Sequence, residues 1–182
     1  MPRRLVLCTL LLVVLSACSL IKPWHQNGPA LQLLAPQYGP VPALYQQKLN
    51  FIATGVERQV LVALKIDTSG IKLRALLPTG QSLYSIEYDG QTLSKQNLAN
   101  VELPADEILA MLQFALWPSS ILDETYNASE HWLIEETEKY RLLSYNGKRK
   151  LRVDFVSQNT IHLTNYSHQY EVNVETLEYK KL

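Results

Sequence analysis

Four histidines, three clustered glutamates and a run of basic residues are the side chains here whose types could do chemistry. His25, His131, His162 and His168 could ligate a metal or act as bases, yet no two stand four apart on a helix, and His162 and His168 straddle a turn. They read as solvated strand and turn histidines. Glu135, Glu136 and Glu138 could pair as general acid and base, but neighbours on a strand point to opposite faces. Glu136 and Glu138 therefore share a face without a partner base, and their charge keeps an edge strand soluble. Lys148, Arg149, Lys150 and Arg152 sit at a hairpin and read as a solvated turn, with contact to anionic lipid headgroups as the alternative. No Gly-x-Ser-x-Gly elbow and no glycine-rich phosphate loop is present. Nucleophile, base and oxyanion hole cannot be assembled, so an acyl hydrolase or transferase has little support. The chain reads as a non-enzyme without metal or cofactor.

The one side chain with a specific chemistry is Cys18. Residues 1–17 run from a basic start at Arg3 and Arg4 through an apolar stretch, Leu5 to Leu15, into small residues, which is the pattern of a secretory signal too short to span a membrane comfortably. Leu15-Ser16-Ala17-Cys18 matches the lipobox of bacterial lipoproteins, where the thiol is diacylated and the bond before it is cut. Lipidation at Cys18 would hold the protein on a membrane permanently, since each buried methylene contributes roughly 0.8 kcal/mol. In the sorting rule of enterobacterial lipoproteins, Asp after that cysteine retains the protein in the inner membrane. Ser19 in its place implies the outer membrane, periplasmic face. Cys8 leaves with the signal, so the mature chain has no free thiol for catalysis, metal binding or a disulfide.

Composition limits the rest. With 182 residues and 17 basic against 17 acidic side chains, there is room for one domain and no electrostatic footprint for nucleic acid. A mean hydropathy of -0.08 is too polar for a polytopic membrane protein. Residues 18–45 hold Pro23, Pro29, Pro36, Pro40 and Pro42 and read as a lipidated, proline-rich tether. Its apolar pieces, Trp24 and Leu31, Leu33 and Leu34, could instead pack along the outside of the domain.

Residues 46–182 form the domain. Period-two patterning predicts strands over 46–54, 58–67, 71–77, 82–88 and 92–96, then 131–137, 140–145, 148–156, 160–166 and 169–175. Ser69-Gly70, Thr79-Gly80, Asp89-Gly90 and Asn146-Gly147 supply hairpin glycines at positive φ. Leu151, Val153 and Phe155 face one way and Lys150, Arg152 and Asp154 the other, as do Tyr170, Val172 and Val174 against Glu171, Asn173 and Glu175. Val60 to Leu64 is apolar on both faces and predicts a strand covered on both sides. The interruption, residues 104–117, is a helix: Pro104 suits its first turn, Asp106 and Glu107 complement its dipole, and Pro118 stops it. Only Gln113 is polar from Ile108 to Trp117, so this helix is sandwiched or lies over a cavity as a lid. A second short helix covers 119–124. The fold class is mainly β, about ten antiparallel strands curled around an apolar helical insertion.

Several strings in this body resemble a family of uncharacterised bacterial lipoproteins related in fold to LolA and LolB, the carrier and receptor of lipoprotein transport. They are Leu49-Asn50-Phe51, the run Leu61 to Asp67, Gly80-Gln81-Ser82-Leu83, Tyr88-Asp89-Gly90, Leu103-Pro104-Ala105, Leu112 to Pro118 and Tyr170-Glu171-Val172. The resemblance implies a half-barrel with helices in its mouth and an apolar cavity for acyl chains of a lipid or lipoprotein ligand. Members often occur beside aryl-polyene or fatty-acid-like biosynthesis genes, which implies a role with an acylated envelope product. One departure concerns activity: the turn that in LolB is Pro-Leu-Gly is Pro78-Thr79-Gly80 here, so the fold need not carry the insertion activity. The lining expected of such a cavity is Phe51, Val62, Leu64, Leu73, Leu112, Leu116, Trp117 and Phe155. Periodicity alone does not separate a lid over a pocket from a filled core. The filled core would belong to an interaction module that docks an envelope partner through an exposed strand edge or an apolar patch and binds no lipid. Oligomeric state is open.

Overall fold

Apolar residues at every second position, broken by turn residues, fold into ten antiparallel strands in a computed structural model that describes residues 29–98, 104–128 and 130–182. The expected signal peptide, Cys18, Ser19, Trp24, His25 and Leu103 lie outside those residues. The strands are β1 (Ala43–Ala53), β2 (Val56–Asp67), β3 (Gly70–Leu76), β4 (Ser82–Tyr88), β5 (Leu93–Asn97), β6 (Trp132–Glu136), β7 (Tyr140–Tyr145), β8 (Lys148–Ser157), β9 (Thr160–Asn165) and β10 (Tyr170–Lys181). They form one open sheet in the order β5-β4-β3-β2-β1-β10-β9-β8-β7-β6. Each half is a meander of consecutive hairpins, and among the described residues the only strand pairing between the halves is β1 against β10, from Ala43↔Lys181 to Ala53↔Tyr170. At Asn146-Gly147 both residues have positive φ, 49° and 72°, the geometry a two-residue hairpin needs to follow the strand twist. Gly70 differs from expectation: it opens β3 at ordinary φ, and its lack of a side chain admits Tyr88 O, which a Cβ would meet at 2.9 Å.

One face of the sheet carries the core. Val62, Leu64 and Ile66 of β2, Ile71 and Leu73 of β3, Ile86 of β4, Val172 and Val174 of β10 and Leu151 and Val153 of β8 are all buried on it. The other face of β2 is not covered as Val60 to Leu64 suggested, since Ala63 is exposed. Alanine and a half-buried Leu61 demand less cover than the apolar pattern implied. β10 runs six residues beyond its expected end at 175. Thr176 to Lys181 lack apolar alternation because that stretch is largely solvated, and pairing with β1 makes it a strand.

Helices α1 (Ala105–Leu116) and α2 (Ser119–Tyr126) bridge the two edge strands, β5 and β6, in the sequence. Trp117 separates α1 from Pro118, whose carbonyl accepts the Ile121 and Leu122 N–H as α2 begins. Leu109, Phe114 and Leu122 are fully buried, and Tyr126 and Trp117 each retain 1% exposure. The apolar pieces of the proline-rich segment pack on the domain, as the alternative to a free tether had it. Residues 30–42 form a strap over the helices, with Leu34 buried, Leu31 and Leu33 packed on the core, and a 3-10 turn at Pro36–Tyr38. β1 then begins at Ala43, so the boundary drawn at residue 45 falls inside the strand. The prolines exclude ladder bonding there, while the leucines between them supply the apolar contacts.

Candidate functional site

The eight residues expected to line a cavity fall into one apolar cluster on the inner face. Val62, Leu64, Leu73 and Trp117 are buried, and Phe51, Leu112, Leu116 and Phe155 are partly buried against them. Strand register explains part of this. Val60 pairs with Leu49, Leu49 with Val174, Val174 with Ile161 and Ile161 with Phe155, so a single apolar row crosses five strands. Four of its five members retain partial exposure, Val174 alone being buried. On α1, Ile108, Leu112 and Leu116 at i, i+4, i+8 form a half-buried stripe. Two surface pockets, of ≈ 500 Å³ beside Asn165 and Tyr170 and ≈ 340 Å³ beside Lys65 and Tyr88, include none of the eight.

Three polar contacts fix α1 in this position. At its first turn Glu107, 8% exposed, turns inward. Its Oε1 lies 2.7 Å from His168 Nδ1 and 3.2 Å from the Tyr170 hydroxyl, and it accepts a 2.5 Å hydrogen bond from Asn165 Nδ2. Burial, and then the charge of Glu107, push the Tyr170 phenol well above its ordinary pKa. His168 is therefore not the solvated turn histidine expected; its side chain is 8% exposed. In the middle of the helix Gln113, with no exposure, donates from Nε2 to Leu34 O at 2.6 Å and accepts Leu34 N–H at Oε1 at 2.8 Å. It thereby satisfies both main-chain groups of a buried strap residue.

At the far end, Arg141 of β7 reaches the helix C-terminus. It donates to Phe114 O at 2.6 Å, to Trp117 O at 3.1 Å, to Ser119 Oγ at 3.3 Å and to Glu136 Oε1 at 2.8 Å. A cation there complements the helix dipole and the carbonyls the helix leaves unpaired. Burial works against the charge on Glu136, but hydrogen bonds from Arg141 and Ser119 outweigh it and hold its carboxyl below the usual value. The basic hairpin is also less solvated than expected: Lys150 is 7% exposed, and Arg152 forks onto Asp154 over the Tyr140 ring at 4.2 Å. His162 Nδ1 meets Asn173 Oδ1 at 2.7 Å.

Sequence reasoning placed Glu107 at the helix start for its charge and His168 in a solvated turn, missed the buried contact between them, and did not single out Arg141. Glu107 carried a signal, since it stands four residues before Met111 and seven before Phe114 on the buried stripe of α1. His168 carried none, because the segment between β9 and β10 looks like any polar turn.

Residues 44–178 match the family described as proteins of unknown function DUF3261, and the chain belongs to that family. No curated protein matches the sequence. Among solved structures, the chain is similar to an outer membrane lipoprotein-sorting protein domain from Vibrio parahaemolyticus, with a TM-score of 0.43 and 9% identity. The match covers 78% of this chain and 85% of that one. Among the described residues, no helix is long and apolar enough to cross a membrane.

Proposed function

We propose that this protein is a non-catalytic lipoprotein, anchored through acylated Cys18 on the periplasmic face of the outer membrane, that binds the acyl chains of a lipid or lipoprotein on the inner face of its sheet. The observation that carries this reading is the half-covered apolar row Val60, Leu49, Ile161 and Phe155. Apolar side chains left partly open within a core face contribute little to stability there and suit an apolar guest. Phe51, Leu112 and Leu116 would extend the wall, with Val62, Leu64, Leu73 and Trp117 behind it. A packed interaction module without lipid is the second reading, favoured by the near-complete burial of Leu64 and Trp117.

The test is native mass spectrometry of Ser19–Leu182 purified under mild conditions, together with the variant Leu112→Glu. A co-purifying fatty acid or phospholipid that solvent removes, and a Leu112→Glu variant that stays folded but empty, is the expected outcome. A bare mass that also refuses fluorescent fatty acids, with Leu112→Glu unfolded, turns the reading to the interaction module.

A further inference from the structure

Strand β10 has two neighbours along its first half and one along its second. Its pairing with β9 ends at Glu175↔Thr160, and Thr176 N–H makes the last contact on that side, with Asn159 O at 2.8 Å. From Glu178 to Lys181 the strand pairs with β1 alone, and among the described residues no strand covers its other edge. Leu182 N–H donates to Pro42 O across β1 at 2.9 Å. Alternation then turns the main-chain groups of Lys180 and Glu178 toward β1 and those of Lys181 and Tyr179 outward. Leu177 and Tyr179 on this edge are 54% and 53% exposed. An open edge of this kind is a template for another strand.

We propose that the strand it takes is the same segment of a second copy, antiparallel and centred on Tyr179. The sequence Leu177-Glu178-Tyr179-Lys180-Lys181 is self-complementary in that register. Tyr179 faces Tyr179 of the second copy and exchanges the two outward main-chain bonds with it. Glu178 then stands directly opposite Lys180, and the two-fold axis repeats the pair. Glu178 and Lys180 share one face of the strand and both are exposed, so neither has to leave a buried partner. A parallel or shifted pairing of two copies loses this match; a shift by two residues places Lys180 against Lys180. The pairing would join two open sheets back to back at their centres and leave β5 and β6 as edges.

The full chain in mild detergent, examined by sedimentation and native mass spectrometry, tests this. A dimer is expected. Glu178→Lys should weaken it about tenfold or more by turning two attractive cross-strand pairs repulsive. The double variant Glu178→Lys, Lys180→Glu should restore it, with the circular dichroism spectrum unchanged throughout and the melting temperature following the dimer. A monomer at every concentration overturns the proposal. So does a dimer indifferent to Glu178→Lys, or a double variant that stays dissociated.

Discussion

Gln113 is the lone polar residue between Ile108 and Trp117, which marks it in the sequence without saying what it does. Its role is visible only when Leu34, far away in the chain, arrives with an N–H and a C=O that the strap cannot pair. Gln113→Leu keeps the volume and leaves both groups buried and unsatisfied. A loss of about 2–4 kcal/mol in urea unfolding is expected. Arg141 and Glu136 form a second such device, and it responds to pH. Because the Glu136 carboxyl is held below its ordinary value in the folded protein, its contribution is complete above the unfolded value of about 4.3 and is lost as pH falls through the folded value. Thermal melting followed from about pH 6 down to about pH 3 should show a steeper fall for the native chain than for Glu136→Gln. The charged residues were hard to read because a strand pattern tells which face a side chain occupies, whereas Arg141 is defined by the helix end it meets.

At the scale of elements, the strands and helices were legible. Turn residues and alternation placed eight strands to within two residues of their observed limits, since each of those segments buries one face and wets the other. The strap was legible in part: its leucines pointed to packing on the outside of the domain, but proline density excludes ladder bonding and does not say where the segment sits. What seats it is Gly39, where an added Cβ would come within 2.9 Å of both Trp117 Cζ2 and Pro36 O. Gly39→Val should displace the strap and lower stability by about 1–3 kcal/mol. Adding Trp117→Phe should recover part of that loss, and a double-mutant cycle by thermal melting measures the coupling. If instead the two substitutions add independently, the strap is held by its leucines and not by the indole.

For the whole molecule, the open ten-stranded sheet with an inserted helix pair follows from ten short strands and one apolar interruption. The β1–β10 closure does not follow from them, because pairing between distant strands leaves no local trace. The proposed anchor at Cys18 can be tested apart from the fold. Replacing Cys18 with Ala in the expressing bacterium should move the protein from the membrane fraction to the soluble periplasm and abolish labelling by radioactive palmitate, while the fold stays intact by circular dichroism. That seam between β1 and β10 also bears on the order of events during synthesis. Hairpins of the first half can form as they leave the ribosome, but β1 lacks one neighbour until residues 170–181 have been added. A nascent chain therefore holds β1 as a waiting open edge until β10 is made, and the two halves of the sheet are joined only then.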